Sequence, residues 1–225
     1  MLVLVVDSST PAVTAALAEI AADGVTLRAE RRTVDARAHG ELLAPQVASA
    51  LAELGARPAD LGAIVAGLGP GPFTGLRVGL VTAATMGQVL GVPTYGVCSL
   101  DALGHPAAAG EPVLAASDAR RREIYWAVYD GAGQRIAGPD VNLPGLVAER
   151  ARDLGATAMV GDGAHRYADV LGLPLRDEPR YPSAAALAGL AAERILTAAP
   201  GDRLTPLYLR RPDAVAATAR KSVLP

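Results

Sequence analysis

The 225-residue sequence is short of the residues that most often carry chemistry: one cysteine, one lysine, three histidines and 4% aromatics. A lone Cys98 cannot close an internal disulfide, which fits a reducing compartment. At the end of an apolar strand and without a nucleophile signature, it reads as a buried structural thiol. His39, His105 and His165 lie 66 and 60 residues apart, so no H-x-x-x-H pair exists for a zinc-protease or metal-hydrolase centre. Lys221 is the single lysine among 21 basic residues, a bias that reads as genome composition, and no glycine-rich loop ends in the Lys-Ser/Thr pair of a P-loop. No G-x-S-x-G elbow occurs either. An excess of charge is missing too. With 21 basic against 23 acidic residues the chain has no global positive field for nucleic acid, and only a local basic contact is left open. The one long uncharged run, Val78 to Leu100, is interrupted by Gly79, Gly87, Gly91 and Pro93 and reads as helix, turn and strand rather than a bilayer span. No charged n-region precedes Leu2, and the chain reads as cytoplasmic.

What is present is aliphatic. Hydrophobic residues make up 51% of the chain, its mean hydropathy is +0.26 and roughly a fifth of it is alanine. That composition supports an ordered core of small side chains in one or two compact domains. Leu2 to Val6 is a continuous aliphatic run ending at Asp7, the pattern of a strand buried on both faces. Val13–Ile20 and Val25–Val34 flank the hairpin signal Asp23-Gly24. Leu43, Val47, Ala50, Leu51 and Leu54 then recur with a helical period, and Gly55 stops that helix. A strand over Gly62–Gly67, a helix capped by Thr74 and running to about Leu90, and a strand over Val92–Val97 follow.

A weaker version of this order returns about 110 residues later. Strands fit Pro112–Ser117, Glu123–Tyr129 and Gln134–Ala137, with Gly131-Ala132-Gly133 as a hairpin turn. A helix over Leu143–Leu154, a strand over Thr157–Val160, a loop over Leu171–Pro182 and a helix over Ser183–Thr197 complete it. Two similar α/β lobes, residues 1–105 and a smaller or degenerate 106–225, are the expected organisation.

Chemistry has few candidate seats. The segment Gly67 to Gly79, G-L-G-P-G-P-F-T-G-L-R-V-G, is a stiff turn between a buried strand and a helix N-terminus. Either its backbone N–H groups, Gly69 and Gly71 among them, meet an anion, or its glycines let the helix pack close to the sheet. Asp7 and Asp118 end the first strand of each lobe, where a carboxylate orients a metal-bound water or phosphate, or caps its own turn. Asp118-Ala119-Arg120-Arg121-Arg122 leads into Tyr125 and Trp126, either a phosphate contact with a stacking aromatic or a solvated turn whose aromatics face the core. The helix after the loop is apolar around nearly its whole circumference, which requires cover on more than one side, from its own chain or from a partner protein.

The opening L-V-L-V-V-D-S-S-T, the helix start H-G-E-L-L-A-P, the glycine-rich loop, D-A-R-R-R-E-I-Y-W and the late P-L-Y-L-R closely resemble the TsaB (YeaZ) family, in order and over almost the whole chain. The resemblance implies an actin-like ATPase fold of two similar lobes, each a mixed sheet flanked by helices. It also implies a role in making threonylcarbamoyladenosine next to the tRNA anticodon. There the paralogue TsaD transfers the threonylcarbamoyl group, TsaB is its noncatalytic dimerisation partner and activator, and the ATPase TsaE joins the assembly. In the family, two first-lobe helices pair with those of TsaD or, in isolation, of a second TsaB, which implicates Leu42, Leu43, Gln46, Leu76, Arg77 and Leu80 here. The H-x-x-x-H of the catalytic paralogue corresponds to Gly96–His105, which holds one histidine. Asp7, Gly69, Gly71 and Asp118 then stand as vestiges of a cofactor seat, with no metal or resident cofactor expected and a nucleotide only at an interface of the complex. Contact with tRNA is expected to be indirect. The competing expectation is an independent actin-like ATPase or small-molecule kinase using Asp7, the glycine-rich loop and Asp118.

Overall fold

A computed structural model describes residues 1–210. The aliphatic opening run forms β1 (Leu2–Asp7), and its alternate residues point into two separate cores: Leu4 and Val6 into one, Val3 and Val5 into the other. That is why the run shows no polar alternation. It pairs antiparallel with β2 (Ala12–Ala21), which turns back through β3 (Gly24–Val34), and parallel with β4 (Ala63–Gly67), itself parallel to β5 (Thr94–Val97). The sheet order is β3-β2-β1-β4-β5. Helices α1 (His39–Leu54) and α2 (Phe73–Leu90) cover one face. Leu43, Val47, Leu51, Leu76 and Leu80 fill the space between them and the sheet.

After α3 (Asp101–Ala108) the pattern repeats. Strands β6 (Val113–Asp118), β7 (Ile124–Tyr129) and β8 (Arg135–Asn142) form an antiparallel meander, and β9 (Ala158–Val160) adds parallel to β6. The order β8-β7-β6-β9 is that of the first sheet without its fifth strand. Two mixed sheets flanked by helices, related by a shared strand order, make the actin-like architecture. Helix α4 (Pro144–Asp153) covers this sheet as α1 covers the first. Two short helices, α5 (Asp162–Arg166) and α6 (Ala168–Leu171), follow β9.

The last helix, α7 (Ala184–Leu196), starts at Ser183, whose hydroxyl accepts the Ala186 amide. Although it comes from the second half of the chain, it packs on the first sheet: Leu187, Ala191 and Ile195 meet Val3, Val5 and Val65. The first sheet therefore takes its helical cover from both halves of the chain. Arg194 ties the same helix to β5, donating to the Gly96 carbonyl and pairing with Asp202 at 2.6 Å. Among the described residues no helix is long and apolar enough to cross a membrane.

Two local expectations are corrected, and one helix lies where none was expected. Helix α2 starts at Phe73 with Pro72 at its N-cap, so Thr74 is inside the helix and not its cap; the ring sets Pro72 near φ −58°. Strand β8 runs past Ala137 to Asn142 through Pro139, which an edge strand tolerates because one row of its N–H groups has no partner strand. Helix α3 lies where the sequence shows Gly104 and Pro106, both normally helix breakers.

Candidate functional site

The glycine-rich loop and the turn after β1 are built against each other. Asp7 is buried, and its carboxylate is fully engaged: Oδ1 accepts the Ser9 amide at 3.0 Å and the Ser9 hydroxyl at 2.8 Å, and Oδ2 accepts the Ser99 hydroxyl at 2.7 Å. Burial raises its pKa, against the lowering effect of these hydrogen bonds and of His39. Ser99 in turn accepts the Gly69 amide at 3.1 Å, and the Ser99 amide donates back to the Gly69 carbonyl at 2.8 Å. The Gly69 N–H is thus spent inside the protein.

Close approach explains two of the glycines. A Cβ on Gly71 would fall 2.2 Å from the Ser9 carbonyl oxygen, and one on Gly79 would fall 2.4 Å from Ser8 Oγ. The packing role of this loop is therefore realised over much of its length. His39 is buried with Nε2 2.9 Å from the Thr10 carbonyl, and His105 Nδ1 is 3.1 Å from the Gly133 carbonyl.

Asp118 belongs to a different neighbourhood. Its Oδ2 accepts from Arg166 at 3.1 Å, while Oδ1 is buried and has no hydrogen-bond partner among the described residues. The buried Asp162 carboxyl is pushed up to about 6, first by burial and then by the charge of Asp118. Asp7 and Asp118 share no hydrogen-bond partner among the described residues. Cys98 is buried, and burial together with Asp101 pushes its thiol up to about 11, which leaves it unreactive at neutral pH. Trp126 is buried in the second sheet with Nε1 donating to Asn142 at 2.8 Å, so it does not stack on a base.

The residues implicated in partner contact divide. Leu43, Gln46, Leu76 and Leu80 are core residues, from 0% to 8% exposed, and Gln46 donates to Thr33 at 3.0 Å. Their expected place at the surface is corrected, because the small residues Gly75, Gly79, Ala83 and Gly87 set which side of α2 lies on the sheet and carry Leu76 and Leu80 in beside them. Leu42 is half-buried against α1's own core. Arg77 is on the outer face, where its guanidinium lies 4.1 Å above the Phe73 ring and its Nε donates to Tyr208 Oη at 3.1 Å. Phe73 and Tyr208 stack with centroids 5.0 Å apart. The outward stripe of α2 that sequence reasoning missed runs through Phe73, Arg77, Val81, Ala84 and Gln88, with Val89 beside it. Val81 is 61% exposed and Val89 78%.

These features can be set beside known proteins. The family model described as TsaD, tRNA N6-adenosine threonylcarbamoyltransferase, matches residues 32–199. The tRNA threonylcarbamoyladenosine biosynthesis protein TsaB of Escherichia coli (strain K12) is 32% identical over 188 residues, covering 77% of this chain and 81% of that protein. The chain belongs to the TsaB (YeaZ) family. An uncharacterized protein of Mycobacterium leprae is 47% identical over 97% of this chain, which spans 57% of that relative's length. Among solved structures, YeaZ from Pseudomonas aeruginosa is 27% identical with a TM-score of 0.75, over 92% of this chain and 99% of its own. The relatives from Escherichia coli and Bacillus subtilis are both named as tRNA threonylcarbamoyladenosine biosynthesis protein TsaB.

Proposed function

We propose that this chain is a noncatalytic, activating subunit in tRNA threonylcarbamoyladenosine biosynthesis, and that it pairs through the outward stripe of α2 with a TsaD-like catalytic paralogue. The observation that carries the reading is that stripe, where exposed Phe73, Val81 and Ala84 are interleaved with Arg77 and Gln88 at spacings of three or four residues on a helix packed on the sheet. Burying Val81 against a partner is worth about 1.5–2 kcal/mol, the usual return for an aliphatic side chain. The first lobe, residues 1–105, carries the surface, and without the paralogue a second copy of this chain pairs on the same stripe. A TsaE-like ATPase completes the assembly, and tRNA is met chiefly through the other subunits.

A noncatalytic role is supported by how the polar groups are used. Asp7, His39 and His105 are each tied to neighbouring serines or backbone carbonyls. An independent actin-like ATPase or small-molecule kinase would need the Asp7 carboxylate for a ligand or metal, and its engagement by Ser9 and Ser99 disfavours that reading. Reconstitution on unmodified tRNA tests the reading. Modification by the paralogue and ATPase should require this chain, and this chain alone should give none. Metal-dependent ATP turnover by the pure chain, abolished by Asp7→Asn, would instead favour the kinase or ATPase.

A further inference from the structure

The outer face of the second sheet carries a groove of about 430 Å³ between the edge strand β8 and α4. Trp126, the single tryptophan, lines it and donates its Nε1–H to Asn142 at 2.8 Å. One face of α4 forms the opposite wall, where Leu146, Glu149, Arg150 and Asp153 recur at i, i+3, i+4 and i+7. Leu146 is 57% exposed, and Leu143, just before the helix, 51%. The charges of the groove are unbalanced. Asp140, Glu149 and Asp153 are set against one arginine, Arg150, and none of the three carboxylates is in an ion pair among the described residues. Glu149 and Asp153 stand one turn apart, where like charges repel, and Asp153 ends the helix, where the dipole disfavours a carboxylate. Neither placement serves α4 itself.

A groove with exposed leucines at one end and unpaired carboxylates towards the other suits a segment that is first aliphatic and then basic. Residues 211–225, which follow the described chain, have that order in sequence. R-P-D-A-V-A-A-T-A-R-K-S-V-L-P sets Val215 among alanines ahead of Arg220 and Lys221, with three basic residues against one acidic. The chain enters this segment close to the groove. Arg210 donates to the Ala119 carbonyl at 2.7 Å and pairs with Glu123. The next residue, Ile124, opens β7 and lies opposite Asn142, at the near end of the groove. Leu207 and Leu209 pack on the other face of this sheet, so the segment has to round β8, an edge strand with no neighbour beyond it. The stretch from Arg210 to Arg220 reaches about 33 Å when extended, well over the roughly 10 Å between a sheet and the layer packed on it. The cleft at the start of α2 is a poor competitor for a basic segment, since Arg37, Arg120, Arg121 and Arg210 line it and no carboxylate does.

We propose that residues 211–225 dock in this groove of their own chain, with Val215 towards Leu146, and with Arg220 and Lys221 against Glu149 and Asp153. The contact covers the outer face of the second sheet. It does not depend on pairing through α2, which lies on the first sheet.

The test uses the isotope-labelled full chain and reads the single indole N–H signal, that of Trp126, by NMR. A nitroxide on Ser222→Cys is the probe, and Cys98 is buried and stays unlabelled. The indole signal should lose most of its intensity to the nitroxide and regain it when the label is reduced. Glu149→Arg together with Asp153→Arg, both at exposed positions, should restore most of the intensity in the oxidised sample. Adding Arg220→Glu and Lys221→Glu to that variant should bring the loss back, which a change in fold would not do. Raising salt from about 50 mM to about 500 mM should relieve part of the loss in the parent. Full intensity in the oxidised parent, or a loss unchanged by the groove variant, overturns the proposal. A loss seen only when the label and the observed Trp126 are on different molecules assigns the groove to a second copy and overturns it equally. Full intensity together with weaker binding of an unmodified tRNA transcript by the Arg220→Glu, Lys221→Glu chain would assign the basic pair to RNA instead.

Discussion

The Ser8 hydroxyl accepts the Gly79 amide at 2.9 Å and donates to the Gly75 carbonyl at 2.8 Å, so it bridges two groups that an α-helix would join to each other. The turn after β1 is thereby pinned into the first turns of α2. Gly79→Ala should destabilise the protein by about 1–3 kcal/mol, because its Cβ would meet Ser8 Oγ in a packed interior. Ser8→Ala should cost about 1 kcal/mol or less, since the freed carbonyl and amide can bond to each other. The double variant should recover part of the Gly79→Ala loss. Urea unfolding of the four proteins measures the coupling, and strict additivity would show that the two residues do not touch.

Asp7 carries a prediction about role. Its three hydrogen bonds come from Ser9 and Ser99, and an asparagine can keep the Ser9 bonds through its oxygen and donate to the Ser99 hydroxyl. Asp7→Asn should fold and sustain tRNA modification by the reconstituted complex within about twofold, short of the loss seen when a transition-state contact goes. Because burial raises the Asp7 pKa, the ionised form is the costly one in the fold, and the variant should not lose stability as pH rises. A loss of activity with stability intact would return Asp7 to catalysis.

Asp162 predicts a pH dependence. Its carboxyl is raised from 3.8 to about 6 by burial and by Asp118. The neutral form is the one the fold favours, so the associated stability is complete below about pH 4 and is lost as pH rises to about 6. The loss is at most about 3 kcal/mol. Asp162→Asn should be more stable than the parent at pH 7.5 and equal to it near pH 4, by denaturant unfolding at both. Equal stability at pH 7.5 would mean that Asp162 is not strained by its neighbour.

Much of the fold is legible in local pattern. The unbroken run Leu2–Val6 announces a strand between two cores, and Leu43, Val47 and Leu51 announce the buried face of α1. Long-range assignments are not legible in this way. Nothing in Ala184–Leu196 says which sheet it covers, because an alanine-rich face fits either. Gly104, Pro106 and Pro139 are residue types that ordinarily weaken helices and strands, and α3 and β8 form over them nonetheless.

The orientation of α2 was obscured because apolar residues surround it, which leaves little amphipathic contrast to read. A signal was nonetheless present. Gly75, Gly79, Ala83 and Gly87 recur every fourth residue, which marks the side of closest approach to the sheet and puts Arg77 and Val81 on the other side.

Pairing through α2 is the central claim, and Val81 and Leu80 separate it from folding. Leu80 is 5% exposed, so Leu80→Glu should lose about 3 kcal/mol or more of stability and says nothing about a surface. Val81 is exposed, and Val81→Glu should leave the melting temperature within about 2 °C, as for a surface change of a few tenths of a kcal/mol. The direct measurement is the affinity of the parent and of Val81→Glu for the purified TsaD-like paralogue, by calorimetry or sedimentation. A tight complex with the parent, weakened at least about a hundredfold by a carboxylate buried without a partner, is the predicted result. Undiminished binding by a folded Val81→Glu protein would contradict it.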